Sequence, residues 1–149
     1  MHRRNILWGA VSAFGAAVAA AGARAATAQA APAKLKVVYH LSDFERVNFV
    51  LGNIRNHIDG VGGPDNVTIA LVVHGPALKA FHTASANPDV SGRISQFANE
   101  GVEFAACGNT MKAQKVTLAD LLPGFVSADR GGVVRIAELQ SSGYLYLRP

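Results

Sequence analysis

Three residues able to do acid–base or nucleophilic chemistry stand at equivalent places along the chain. His40 falls near the end of the run KLKVVYHL, His74 follows NVTIALVV, and Cys107 ends VEFAAC. Cys107 is the only cysteine among 149 residues, so no disulfide can form within the chain. It is either a buried small hydrophobe or a thiol open to partners. A thiol where a strand runs into a helix would face the unpaired N–H groups and positive end of that helix, which favour the thiolate. Gly108 permits a turn and the close approach of a partner, and Asn109 or Thr110 is placed to cap the helix. His74, followed by Gly75 and Pro76, can act as a base or orient a sulfur species, or it can simply bond a neighbouring loop; His40 has the same two readings.

The elements that would position these residues alternate along the chain. Lys34 to Leu41 is a β-branched and aromatic run that predicts a first strand. Ser42-x-x-Glu45 reads as a capping box, and Phe44, Val47, Leu51, Ile54 and Ile58 recur at helical spacing. Asn66 to Val73 predicts a strand buried on both faces. A helix is expected from Pro76 to about Thr83, a loop over Ala84 to Gly92, and a helix from Arg93 to Asn99. Val102 to Ala106 gives a third strand, with a short helix after Cys107. Thr117-x-x-Asp120 forms a second capping pattern, Phe125 to Ser127 a short strand, Arg130 to Ser141 a helix, and Tyr144 to Leu147 a last strand.

Strand–helix alternation of this kind predicts an α/β fold with a mostly parallel sheet of about five strands and helices on both faces. In such sheets ligands gather outside the carboxyl ends of the strands. His40, His74 and Cys107 all belong to that edge, and they line one crevice if their strands are neighbours.

Residues 1–30 differ in kind. Arg3-Arg4 and Ile6-Leu7 precede an Ala/Gly-rich apolar stretch, and Ala-x-Ala sites follow Gly22. That is the pattern of a twin-arginine-type export leader, with 31–149 as a single domain and the periplasm as destination. A retained anchor over Ile6 to Gly22 is the alternative reading. The charge balance then changes: Arg3, Arg4 and Arg24 are three of the 14 Lys/Arg residues, so eleven remain against ten Asp/Glu. A nearly neutral mature chain with no basic run excludes nucleic acid as a partner, and no stable membrane insertion of that part is expected. Cys-x-x-Cys, dinucleotide and phosphate-loop fingerprints, His-Glu-x-x-His and Gly-x-Ser-x-Gly are all absent.

Taken together, KVVYHLS, NVTIALVVHGP, GVEFAACGNTM and SSGYLYLRP resemble the DsrE/DsrF-like family of small sulfur-relay proteins, over roughly Lys34 to Arg148. The resemblance implies a three-layer α/β/α fold, a homo-oligomer such as a trimer or hexamer, and a cysteine that carries sulfur as a persulfide, a role only Cys107 can fill. It also implies sulfur donor and acceptor proteins or small sulfur compounds as partners, with no metal or organic cofactor required. His74 would stabilise the thiolate or the leaving sulfur, and His40, Gly108 and Asn109 would contribute to binding. The competing readings are an interaction module with an inert thiol and a soft-metal site combining Cys107 with one or both of His74 and His40.

Overall fold

The computed structural model describes residues 33–149, so the leader-like segment 1–30 lies outside the described residues. Five strands, β1 (Leu35–Leu41), β2 (Val67–Val73), β3 (Glu103–Cys107), β4 (Phe125–Ala128) and β5 (Leu145–Leu147), form one sheet in the order β4-β3-β2-β1-β5. Every neighbouring pair is parallel. Parallel neighbours need crossovers, and these are supplied by α1 (Val47–Gly60), α2 (Pro88–Asn99), α3 (Gly108–Gln114) and α4 (Gly132–Ser141). The result is a three-layer α/β/α fold.

The crossovers are unequally divided between the faces. From β1 to β4 the chain moves one strand at a time toward one edge, whereas α4 carries it back across the whole sheet to β5. The larger core joins Val37, Tyr39, Ile69, Leu71, Phe104 and Phe125 of the sheet to Leu51, Ile54, Ile94 and Phe97 of α1 and α2. On the other face Val38, Ala70, Val72, Ala105 and Ala128 pack against Ile136 and Leu139 of α4. This explains why β2, in the middle, is apolar at nearly every position: both of its faces are covered.

Several boundaries differ from those expected. Ser42 and Glu45 form no capping box, because Ser42 Oγ accepts a hydrogen bond from Arg148 at 3.0 Å and a 3₁₀ turn over Phe44–Arg46 precedes α1. That turn shifts the phase of the helical pattern, leaving Phe44 half exposed. The segment after His74 is a 3₁₀ helix, Gly75–Phe81, rather than an α-helix to Thr83. The expected loop 84–92 is partly helix: Asn87 caps α2 by accepting from the Asp89 N–H at 2.8 Å, and Pro88 suits the first turn. The cap of α3 is Cys107 itself, not Asn109 or Thr110, and α4 starts at Gly132 rather than Arg130. The Thr117–Asp120 box is present, on a 3₁₀ turn over Leu118–Asp120. Among the described residues no helix is long and apolar enough to cross a membrane.

Candidate functional site

Side chains alternate between faces along a strand, so register decides which residues meet. Val38 pairs with Ala70 and with Tyr146, and Val72 pairs with Ala105, all on the α4 face. Counting two onward, His40, His74 and Cys107 lie on the same face, with Tyr146 of β5 beside them. The three residues expected to share a crevice therefore stand at the carboxyl edge of three adjacent strands, His40 and Cys107 within β1 and β3 and His74 just after β2. His57 and His82 do not join them: His57 bonds the Tyr39 hydroxyl and His82 bonds Gln114.

The start of α4 closes over this group. A Cβ placed on Gly132 would lie 3.3 Å from the Cys107 Cβ and 3.4 Å from the His74 Cβ, so both side chains leave the sheet beside one point. Gly131, at φ +107°, has a left-handed backbone, and a Cβ there would come within 2.9 Å of Asn109 Nδ2. Gly108 has no spare room either, since its Cβ would meet Ala128 O and the Asp129 backbone at 3.1 Å. The close approach that Gly108 was expected to allow is thus to the end of β4 within the same chain.

Cys107 is 6 % exposed, and its sulfur is not sealed in hydrocarbon. Burial pushes the thiol up; the Thr110 hydroxyl and the backbone N–H groups of Gly132, Thr110 and Asn109 pull it down, and the net position is below an ordinary thiol. The Cys107 side chain makes no capping hydrogen bond at the start of α3. The four donors surround the sulfur with partial positive charge from the starts of two helices, α3 and α4. Thr110 is fixed for this by accepting the Gly75 N–H at 2.9 Å, which leaves its own proton free to turn to sulfur. Gln114 donates to Gly75 O at 2.9 Å and meets His82 Nε2 at 2.8 Å, so the loop after β2 is tied to α3 along its length.

The histidines form a unit of their own. His40 and His74 are bonded through their Nε2 atoms, with rings stacked at 4.7 Å and 18° apart. The other nitrogen of His40, Nδ1, shares a 2.7 Å hydrogen bond with the Tyr146 hydroxyl. Desolvation, then the neighbouring His74 and the Arg148 charge, lower His40 to about 4, Asp43 opposing; desolvation and Arg148 also lower His74. Arg148 is held nearby by Ser42 and lies 3.6 Å from Asp43. Both rings are therefore neutral at neutral pH.

A stability consequence follows from the sign of that shift. An unfolded His40 takes a proton near 6.5, whereas the folded one refuses it until about 4, so the unfolded state binds more protons between those values. Stability will fall as pH drops through that window, and His40→Asn will flatten the fall, as read from urea midpoints at a series of pH values. An unchanged slope in the variant would contradict the assignment.

Tyr146, Gly132 and Arg148 were not marked by sequence reasoning, though the Gly131-Gly132 doublet signals a close backbone approach. No three His, Cys, Asp or Glu among the described residues gather as metal ligands do, so the three-donor soft-metal set is not assembled. A cleft of about 270 Å³ runs past Ser127, Ala128 and Gly131, next to Cys107, whose register partner is Ala128. A larger hollow of about 470 Å³, between Phe44, Val47, Lys79 and Val90, holds none of the candidate residues.

The model of the DsrE/DsrF-like family matches residues 17–149. The chain belongs to that family. Membership points to sulfur relay as the general role of this DsrE/DsrF-like chain. A protein of unknown function from Methanobacterium thermoautotrophicum is similar at 31 % identity, with a TM-score of 0.68 over 77 % of this chain and 99 % of that one. The ychN protein from E. coli is similar in fold at 11 % identity and a TM-score of 0.55, covering 77 % and 100 % of the two chains. A conserved protein of unknown function from Bacteroides thetaiotaomicron matches at 16 % identity and 0.57, over 76 % and 94 %. No curated protein matches this DsrE/DsrF-like sequence.

Proposed function

We propose that this chain is a sulfur carrier that holds sulfane sulfur as a persulfide on Cys107. The observation that carries the reading is the placement of a buried thiol between two helix starts, where four polar donors draw it below the ordinary thiol range. The loading step balances without an oxidant. The Cys107 thiolate attacks the outer sulfur of a donor R–S–SH, the Cys107–S–SH bond system forms, and R–S⁻ leaves with the electron pair of the broken S–S bond. Unloading to an acceptor thiol is the same exchange in reverse. Neither direction calls on a metal or organic cofactor.

The donors and acceptors are proteins or small compounds with thiol or sulfane sulfur. Export to the periplasm by the leader-like segment 1–30 is part of the proposal, as is a homo-oligomer. Exposed Leu145 and Leu147, on the face of the edge strand β5 opposite Tyr146, support the latter as surface a second copy would cover.

Intact mass after incubation with polysulfide tests the carrier role. The expected result is a gain of one or more sulfur atoms per chain that reducing agent removes and that Cys107→Ser lacks. Equal gain in the variant, or none in the parent with any donor, would refute it.

A further inference from the structure

We infer that Tyr146, His40 and His74 form a proton relay serving the thiol exchange at Cys107, with His74 the group that meets the reacting thiol and Tyr146 the positioning residue that sets the tautomer of His40. This inference rests on the sulfur-carrier reading and deepens it. Its basis is the unbroken row of contacts from β5 through β1 to the end of β2: Tyr146 hydroxyl to His40 Nδ1 at 2.7 Å, then His40 Nε2 to His74 Nε2. Among the described residues the remaining ring nitrogen, His74 Nδ1, makes no hydrogen bond. His74 stands beside Cys107 under Gly132, and Tyr146 is 40 % exposed, so the row joins the thiol's surroundings to solvent.

Two neutral imidazoles in Nε2 contact must have one proton between them, and its position fixes every other proton in the row. In one arrangement Tyr146 donates to His40 Nδ1, His40 Nε2 donates to His74, and His74 Nδ1 bears a proton it can give outward. In the other, His40 Nδ1 donates to the Tyr146 oxygen, His74 Nε2 donates to His40, and His74 Nδ1 is bare and can accept. Passing between them moves one proton along the row, the Tyr146 hydroxyl exchanging with water. The charged groups facing the row are Arg148, which disfavours a positive ring, and Asp43, which favours one. The low affinity of His40 for a second proton keeps both arrangements neutral.

Sulfur release needs such a device. An acceptor R–SH gives its proton to His74 Nδ1, R–S⁻ attacks the outer sulfur of Cys107–S–SH, R–S–SH forms, and the Cys107 thiolate leaves with the bond's electron pair. The proton taken at His74 Nδ1 displaces one from the Tyr146 end to water, the row stays neutral and one negative charge is left on Cys107, so atoms and charge balance. A phosphine carries no proton on its attacking atom: it takes the outer sulfur, the electron pair of the S–S bond goes to Cys107, and the proton of the R3P–SH⁺ so formed passes to that thiolate, leaving R3P=S and Cys107–SH.

The test compares release to a small thiol with release to a water-soluble phosphine from polysulfide-loaded protein. Tyr146→Phe and His40→Gln should lower the thiol-to-phosphine rate ratio about a hundredfold, at the low end of acid–base contributions, and abolish its solvent deuterium isotope effect. In ¹⁵N-histidine NMR the parent should show scalar coupling between the two Nε2 atoms, and Tyr146→Phe should shift the His40 tautomer. Loading with unchanged ratios, or no Nε2–Nε2 coupling, would overturn the relay alone. Failure of Cys107 to gain sulfur at all would remove the carrier reading and the relay with it.

Discussion

Replacing Thr110 with valine will slow the alkylation of Cys107 at neutral pH about tenfold, the loss expected when a donor to a charged group is removed. Valine keeps the shape of threonine and deletes only the hydroxyl, so packing around α3 is preserved. Two effects then separate. The sulfur loses one of the donors that offset its burial, so less of it is thiolate at pH 7. The Gly75 N–H loses its 2.9 Å acceptor, and leaving a part-buried donor unpaired costs about 1–3 kcal/mol of stability. Thr110→Ser should restore both. The check is the pH profile of the iodoacetamide rate beside urea unfolding; a rate equal to the parent's, in a folded variant, would show that the hydroxyl does not tune the thiol.

Phe104→Ala should cost about 3–5 kcal/mol, the range for truncating a fully buried aromatic. Phe104 has no exposed surface, and its ring lies 5.5 Å from that of Phe125. A single domain is stable by only about 5–15 kcal/mol, so the variant will be near the limit of folding at 25 °C. Val133→Ala, at a position 68 % exposed, should stay within about 0.5 kcal/mol by the same measurement. A shift in urea midpoint for Phe104→Ala no larger than that for Val133→Ala would refute the burial argument. The change also bears on chemistry, because Phe104 and Cys107 leave opposite faces of β3 and the first holds the strand that presents the second.

The sequence carried the strands and the edge at which His40, His74 and Cys107 gather, because both follow from local patterns: β-branched runs, and polar residues where those runs stop. Strand order left no such mark. Tyr146 meets His40 across 106 residues only because β5 pairs with β1 rather than with β4, and no short stretch encodes that choice. Arg148 reaches Ser42 for the same reason. The cap of α3 was assigned to Asn109 or Thr110 on propensity, but the thiol occupies that place and Thr110 is turned toward it by Gly75. The loop expected before Gly92 hid a helix start, since Asn-Pro reads equally as a turn or as a cap with a first-turn proline.

The return of α4 across the sheet has a consequence for how the protein comes into being. Gly132, Tyr146 and Arg148 all lie after β4 in the chain, so the strand bearing Cys107 leaves the ribosome before them. A growing chain can align its first four strands without the second helix start over the sulfur or the tyrosine beside the histidines. The donors of α3 can reach the sulfur once β3 and α3 have formed, whereas the Gly132 N–H and the tyrosine–histidine row are added only when α4 and β5 dock.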